Sequence, residues 1–228
     1  MSELKEYKRS MHRVFGEFLH EIKTPLAIMR THLESEISNE LIPIEVRQKI
    51  VLDVEEIARI NQLVNDVKIV LDGENDTIRS SFTRESLLEL VMDVVETLEP
   101  LAQEKQQKVS LVSQGNCEVL MNAFKLKQLF FNLINNAIKY TGTGGKISVL
   151  FTINEAEVSV EIIDNGIGIS QQDQNKVFEA FYRGENSVQE GVGLGLAVSL
   201  AIARMHEAEI YLQSELGRGS KFKVSFKR

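Results

Sequence analysis

The chain lacks the features that mark several large classes of protein. Its single cysteine, Cys117, excludes an internal disulfide framework and a thiolate zinc site, and it fits a reducing cytosol. No apolar run reaches the roughly 18 residues that a membrane span needs, and the first residues (SELKEYKRS) are too polar for a signal peptide. We therefore expect no membrane contact by the chain itself.

An excess of positive charge is also missing. The formal net charge is −7, which disfavours nonspecific binding to nucleic acid, because such binding needs a positive field. We therefore expect no nucleic-acid partner. The hydrophobic content of 43% and charged content of 26% are ordinary for a soluble globular protein, and 228 residues allow one large domain or two small ones.

Residues 15–26, FGEFLHEIKTPL, show a helical pattern with a histidine outside its apolar stripe. With Phe15 at heptad position a, His20 falls at f and is expected to point to solvent. Glu21 follows it, and Thr24 lies one turn further along the same side. A surface histidine without a special role is an alternative that these residues alone leave open. The apolar stripe occupies positions a, d and e: Phe15, Phe18, Leu19, Ile22, Pro25, Leu26, Met29 and Leu33.

Two long helices are predicted in the first third of the chain. The first covers residues 3–37, and Pro43 suits the first turn of the second. Apolar residues then recur every seven positions from Ile50 to Leu71. Such a hairpin leaves an apolar seam exposed, so we predict that two copies pair into a four-helix bundle. A coiled-coil dimeriser without chemistry fits the same pattern.

A polar segment separates these helices from a region of mixed texture. We predict a helical domain over residues 1–72, a linker over 73–82 and a second domain over 83–228. Helices and a mostly antiparallel sheet imply an α+β sandwich. The predicted helices cover residues 85–105, 124–140 and 194–205, and the strands cover 108–112, 118–121, 146–153, 158–163, 209–214 and 221–226.

Polar side chains gather on one face of the helix predicted over residues 124–140. Asn132 and Asn136 lie four residues apart, and Lys139 and Tyr140 extend their face by one turn. An amide oxygen suits Mg²⁺ bound to phosphates, and a lysine offers phosphates a point charge. An ordinary hydrated helix face is the alternative.

Three further stretches follow in the second domain. In DNGIGI, Asp164 can accept a hydrogen bond from an exocyclic amine such as adenine's N6, although a plain turn fits too. VFEAFYR is predicted to be a short helix that carries Phe178 and Phe181 and ends in Arg183. GVGLGL places alternating glycines before a helix, which presents backbone N–H groups to phosphate.

These stretches, in this order, resemble the conserved boxes of sensor histidine kinases. HEIKTPL resembles the H box, NLINNAIKYT the N box, DNGIGI the G1 box, VFEAFYR the F box and GVGLGL the G2 box. The closing SELGRGSKFKV resembles the last hairpin of the same family. The resemblance implies an α-helical hairpin that dimerises to a four-helix bundle, followed by an α+β sandwich that binds ATP.

The resemblance also implies an activity and its partners. His20 would be the phosphoacceptor, Glu21 would orient or deprotonate it, and Thr24 would position water for dephosphorylation of the partner. The expected partners are a second copy of the chain and the receiver domain of a response regulator, whose aspartate takes the phosphoryl group. The expected setting is the bacterial cytoplasm, as the cytosolic part of a membrane-anchored sensor or as a free kinase.

For the second domain, the resemblance implies binding of ATP and Mg²⁺. Asn136, with Asn132, would hold the metal; Lys139 would neutralise phosphate charge and Tyr140 would lie against the nucleotide. Asp164 would bind the adenine amine at a site opened by Gly166 and Gly168. A lid over the phosphates would include Arg183, Gly191, Gly193, Leu194, Gly195 and Leu196. Residues 184–190 (GENSVQE) depart from the family because they are short and acidic.

Two other functions compete with the kinase. An ATPase of the gyrase or MutL kind uses the same fold but has a glutamate four residues before its metal-binding asparagine, and Asn132 stands at that position here. A pseudokinase that only dimerises and scaffolds is the other alternative, and it would fail to bind ATP.

Overall fold

The computed structural model describes residues 2–39, 41–72, 81–184 and 191–227. The chain divides into two compact units, Met1–Asp72 and Gly73–Arg228, and each is described by itself. Most of the predicted linker, residues 73–82, lies outside the described residues. The predicted domain boundaries therefore stay predictions.

The first unit is a helical hairpin. Helix α1 (Ser2–Ile37) and helix α2 (Ile44–Asp72) pack against each other across a short connection. Their contact buries a small set of apolar side chains: Leu19, Ile57, Val64 and Ile69. None of the described helices combines the length and the apolarity needed to cross a bilayer.

Much of the apolar stripe on α1 is not covered by α2. Phe15 is 46% exposed, and Phe18 and Met29 are each 54% exposed. Leu19, at position e, is buried, whereas these three residues occupy positions a and d. The single chain therefore leaves open the seam that the heptad pattern assigns to a partner helix.

The second unit is an open α+β sandwich. Its five-stranded sheet has the order β2-β4-β5-β7-β6, in which β2 and β4 are parallel and the other neighbours antiparallel. A separate antiparallel pair joins β1 and β3. The elements in chain order are β1 (Thr83–Ser86), α3 (Leu87–Glu104), β2 (Lys108–Ser113), β3 (Glu118–Met121), α4 (Ala123–Tyr140), β4 (Lys146–Ile153), β5 (Glu157–Asp164), α5 (Gln171–Gln174), α6 (Gly195–Met205), β6 (Ala208–Glu215) and β7 (Gly219–Lys227).

Helix α4 is the centre of the core because it contacts α3, α6 and β5. It buries one apolar face, formed by Leu126, Leu129, Phe130, Leu133, Ile134, Ala137 and Ile138. In β5, the alternating residues Val158, Val160 and Ile162 are buried. Asp164 continues that alternation, so the strand carries its carboxylate onto the same buried face at the strand's end. The predicted fold class is confirmed.

Two sequence predictions about local structure are wrong. The helix expected from residue 85 begins at Leu87, because Glu85 and Ser86 pair with β3 and the Ser86 hydroxyl caps α3 by accepting from Glu89 N at 3.0 Å. The short helix expected to carry Phe178 and Phe181 is replaced by turns after α5. Phe181 has φ 66°, which a right-handed helix does not allow.

We predict that Leu133→Ala destabilises the second unit by about 2–5 kcal/mol, because this fully buried side chain would leave a cavity in the core. Urea unfolding followed by tyrosine fluorescence measures the change, since Tyr140, Tyr182 and Tyr211 all lie in this unit. Phe124→Ala is the matched control, because Phe124 is on the same helix and 74% exposed. Equal destabilisation by both changes would contradict the assigned core.

Candidate functional site

Asp164 is a buried carboxylate at the end of β5. Its Oδ1 accepts hydrogen bonds from Gly166 N at 2.9 Å and Ser220 N at 3.3 Å. Burial raises the pKa of Asp164, and the bonds from Gly166 and Ser220 oppose that rise. A desolvated carboxylate held by backbone donors is a fixed acceptor, which suits recognition of one amine group in a ligand.

The turn after Asp164 lies directly against the end of α4. Ile167 N donates to Tyr140 O at 3.2 Å. A Cβ on Gly166 would lie 2.4 Å from the same carbonyl oxygen, so no other residue fits there without displacing backbone. The DNGIGI segment, which resembles the G1 box, and the NLINNAIKYT segment, which resembles the N box, are therefore in backbone contact at Tyr140.

The same turn also contacts the β6–β7 hairpin. Gly217 N donates to Ile167 O at 2.7 Å, and Ile169 N donates to the Ser214 hydroxyl at 2.7 Å. Gly168 has φ 68° and lies against the carbonyl of Glu215. The loop over residues 164–169 is thus held on both sides by backbone.

The polar face of α4 contacts the glycine-rich segment. Asn132 Nδ2 donates to Gly195 O at 3.1 Å, and a Cβ on Gly191 would lie 3.2 Å from Lys139 Nζ. Lys139 Nζ also lies 5.6 Å from the ring centroid of Tyr140. The Asn136 side chain is half-buried and has no hydrogen bond among the described residues. The structure therefore brings the N-like and G2-like segments together.

The F-like segment joins the same cluster through its backbone. Phe181 N donates to Gly193 O at 2.9 Å. Leu194 occupies the N-cap position of α6 without a capping hydrogen bond from its side chain, and Leu196 lies in the first turn. Arg183 is exposed. Residues 185–190 lie outside the described residues, and with them most of the acidic stretch noted in the sequence.

Several residues that shape this site carried no signal in the sequence. Gln107 Nε2 donates to Ile138 O at 3.0 Å and Thr141 O at 2.7 Å, and Lys105 Nζ donates to Lys139 O at 3.1 Å. Together they satisfy the carbonyls at the C-terminus of α4, where Lys139 and Tyr140 lie. These contacts span more than 30 positions in the chain, so local pattern could not reveal them.

The predicted phosphoacceptor lies in the first unit. The side chains of His20, Glu21 and Thr24 are all exposed on α1. Thr24 Oγ1 donates to His20 O at 3.4 Å, which places the hydroxyl one turn beyond the histidine, as expected from the spacing. The imidazole of His20 is therefore accessible to a reaction partner.

In the second unit, the site combines features that suit a nucleotide. It offers a buried acceptor for an amine, an amide and an ammonium group on α4, and a glycine-rich helix N-terminus. These groups suit a flat base at one end and phosphates at the other.

Comparison with known proteins agrees with this geometry. Residues 121–228 match the family described as histidine kinase-, DNA gyrase B-, and HSP90-like ATPase. The signal transduction histidine-protein kinase ArlS of Staphylococcus aureus (strain USA300) is 30% identical over 230 residues, covering 99% of this chain and 51% of that protein. The chain thus spans about half the length of the curated relatives it matches.

Two solved structures show the same fold. The Acinetobacter baumannii histidine kinase AdeS matches with TM-score 0.64 and 24% identity, over 91% of this chain and 97% of that chain. Full-length ShkA, in a complex with AMPPNP, matches with TM-score 0.74 and 23% identity, over 94% of this chain and 45% of that chain.

Residues 121–228 of the second unit therefore resemble the ATPase domain shared by histidine kinases, DNA gyrase B and HSP90. The match to ArlS extends through the helical hairpin, so the chain resembles a sensor histidine kinase over both units, and AdeS shares this fold. The resemblance found in the sequence is confirmed. The roles of individual site residues stay predictions.

We predict that Asp164→Asn lowers ATP affinity about 10- to 100-fold, because a charge-assisted hydrogen bond to the adenine amine is lost. Isothermal titration calorimetry measures this loss. The same change should not destabilise the nucleotide-free unit, since the amide oxygen can still accept from Gly166 and Ser220. An unchanged ATP affinity would contradict the role of Asp164.

The pH dependence of stability gives a second readout of this change. Because the pKa of Asp164 is raised by burial, its ionised form is disfavoured in the fold, and stability is lost as pH rises through that raised pKa. Relative to wild type, Asp164→Asn should therefore gain stability from about pH 4 to about pH 7. Glu157→Gln is the opposite-sign control, because hydrogen bonds from Lys223 and Ser225 lower the pKa of Glu157.

Proposed function

We propose that this chain is an ATP-dependent protein-histidine kinase that phosphorylates His20 and passes the phosphoryl group to an aspartate of a response regulator. The observation that supports it most is the meeting of three motif segments around Tyr140, Gly193 and Gly195, beside the buried Asp164. A second support is the exposed His20 on the hairpin. ShkA, which shares the fold, was solved with AMPPNP.

In this proposal each part of the second unit binds one part of ATP. Asp164 accepts from the adenine amine, and Gly166 lets the loop that carries Asp164 lie against Tyr140 O. Lys139 compensates phosphate charge, and Tyr140 lies against the nucleotide. Arg183 and the backbone of residues 191–196 face the phosphates, where the N-terminus of α6 favours negative charge.

The amides on α4 fit a magnesium ion. The half-buried Asn136 has no hydrogen bond among the described residues, so its oxygen is open to a hard cation. Asn132 donates from its amide nitrogen to Gly195 O, which leaves the oxygen as the atom of that group suited to a ligand role. When bound, Mg²⁺ would offset the negative charge of the phosphates. Asn136 and Asn132 would hold it.

The first unit supplies the nucleophile. An imidazole nitrogen of His20 forms a bond to the γ-phosphorus while the bond between that phosphorus and the bridging oxygen of ADP breaks. Glu21 orients the imidazole or takes its proton, which raises the reactivity of the attacking nitrogen. Thr24, one turn further on, positions water when the phosphorylated regulator is hydrolysed.

The open seam of the hairpin supports dimerisation. Phe15, Phe18 and Met29 would be covered by a second copy of the chain, giving a four-helix bundle. The regulator's receiver domain would then dock near His20. We place this activity in the bacterial cytoplasm. The bacterial source of the relatives supports this location, and so does Cys117, which forms no disulfide.

A hydrolytic ATPase of the gyrase kind is the competing function within the same fold. It needs a base at position 132, but Asn132 is an amide and donates to Gly195 O at 3.1 Å. An amide cannot take a proton from water at neutral pH. This contact favours the kinase.

Incubation with γ-labelled ATP and Mg²⁺ tests the proposal. We predict acid-labile label on the wild type, as expected for a phosphorus–nitrogen bond, and no label on His20→Gln. His32→Gln is the matched control, because His32 is also exposed on α1 and should leave labelling intact.

Other outcomes would separate the alternatives. An unlabelled wild type that binds ATP would contradict autophosphorylation and favour a scaffold. Steady release of phosphate by both the wild type and His20→Gln would favour the ATPase.

A further inference from the structure

Arg183 stands between two residues that both contact one carboxylate. The Tyr182 hydroxyl donates to Asp173 Oδ1 at 2.5 Å. A Cβ on Gly184 would lie 3.1 Å from Asp173 Oδ2, so the Gly184 backbone passes close to the same group. Asp173 therefore contacts both chain neighbours of Arg183.

Asp173 is itself anchored to the loop that follows Asp164. Ser170 Oγ donates to Asp173 Oδ2 at 2.8 Å and accepts from Asp173 N at 3.3 Å. Gln174 Nε2 donates to Ile169 O at 3.1 Å and to Ser214 O at 2.8 Å. The short helix α5 is thus fixed to the end of β6.

The residue before Tyr182 is held by the glycine-rich segment. Phe181 N donates to Gly193 O, and a Cβ on Gly193 (φ 77°) would lie 2.7 Å from Tyr182 O. Phe181 has φ 66°, a left-handed conformation that is unfavourable for a non-glycine residue. Such a conformation persists only where the surrounding structure fixes the backbone.

The Asp173 carboxylate is a strong acceptor. The Tyr182 hydroxyl, then the Ser170 hydroxyl and the nearby Lys176, lower the pKa of Asp173 below its usual value. Lys176 Nζ lies 5.8 Å from the ring centroid of Tyr182. The carboxylate is ionised at neutral pH, and a hydrogen bond to an ionised acceptor is the stronger kind.

We propose that Tyr182 and Asp173 are positioning residues that hold Arg183 and the Gly193 turn in the arrangement that binds the phosphates of ATP. Binding of adenine at Asp164 does not depend on them, because Asp164 is held by Gly166 and Ser220. This inference rests on the proposed function, in which Arg183 and the glycine-rich segment face the phosphates. Neither Tyr182 nor Asp173 has a role in the motif-based prediction.

The test compares the binding of AMPPNP with that of adenosine. Tyr182→Phe and Asp173→Ala should weaken AMPPNP binding about tenfold and change adenosine binding less than about twofold, as followed by NMR titration. In labelling of His20, the KM for ATP should rise about tenfold while kcat changes less than about threefold. Equal losses for both ligands would show a general structural role and overturn the inference.

Rescue and coupling sharpen the test. Asp173→Asn keeps an oxygen acceptor for Tyr182 and should retain much of the AMPPNP affinity that Asp173→Ala loses. Tyr182→Phe combined with Arg183→Ala should lose less affinity than the sum of the two single losses, because part of the effect of Tyr182 acts through Arg183. Additive losses would overturn the inference.

Tyr211→Phe is the matched control, because the Tyr211 hydroxyl donates to Glu209 and both side chains are exposed on β6, outside the contacts of Tyr182 and Asp173. It should leave both affinities unchanged. If the wild type bound neither AMPPNP nor adenosine, the proposed function itself would be contradicted. Wild-type binding with unaffected Tyr182→Phe and Asp173→Ala variants would overturn the positioning role alone.

Discussion

The site depends on the contact between the carbonyl of Tyr140 and the backbone of Gly166 and Ile167. Tyr140 is the last residue of α4, and its oxygen accepts from Ile167 N at 3.2 Å. The space beside this oxygen is too small for a Cβ on Gly166. The loop that carries Asp164 can therefore approach the helix that carries Asn132, Asn136 and Lys139 only with glycine at this point.

The packing of the unit supports this contact from both sides. Strand β5 delivers Asp164 to the buried face, and β7 pairs with it so that Ser220 N donates to the same carboxylate. At the C-terminus of α4, Gln107 and Lys105 donate hydrogen bonds to backbone carbonyl groups. At its N-terminus, His206 Nε2 accepts a hydrogen bond from Asn122 N at 3.1 Å. Burial lowers the pKa of His206, so it stays a neutral acceptor in this bond. Helix α4 is fixed at both ends, which limits the movement of its polar face.

Sequence pattern predicts the parts of this arrangement that are local. The alternation of β5 places Asp164 on the buried face, and the four-residue spacing of Asn132 and Asn136 places them on one face of α4. The start of α3 was mispredicted because pairing of Glu85 and Ser86 with β3 overrides local helix preference. Contacts such as Gln107 with Thr141, or Asp173 with Tyr182, depend on how separate segments fold together, so no periodicity reveals them.

In the proposed function, close backbone contact, rather than side chains alone, creates the nucleotide pocket. Calorimetric titration of ATP into Gly166→Ala and Gly142→Ala tests it most directly, because a Cβ on Gly142 would meet nothing within 4 Å. Gly142→Ala should bind ATP as the wild type does. Gly166→Ala should lose ATP affinity by about 2–3 kcal/mol, since the added carbon must displace the loop from Tyr140. Wild-type affinity in Gly166→Ala would contradict it.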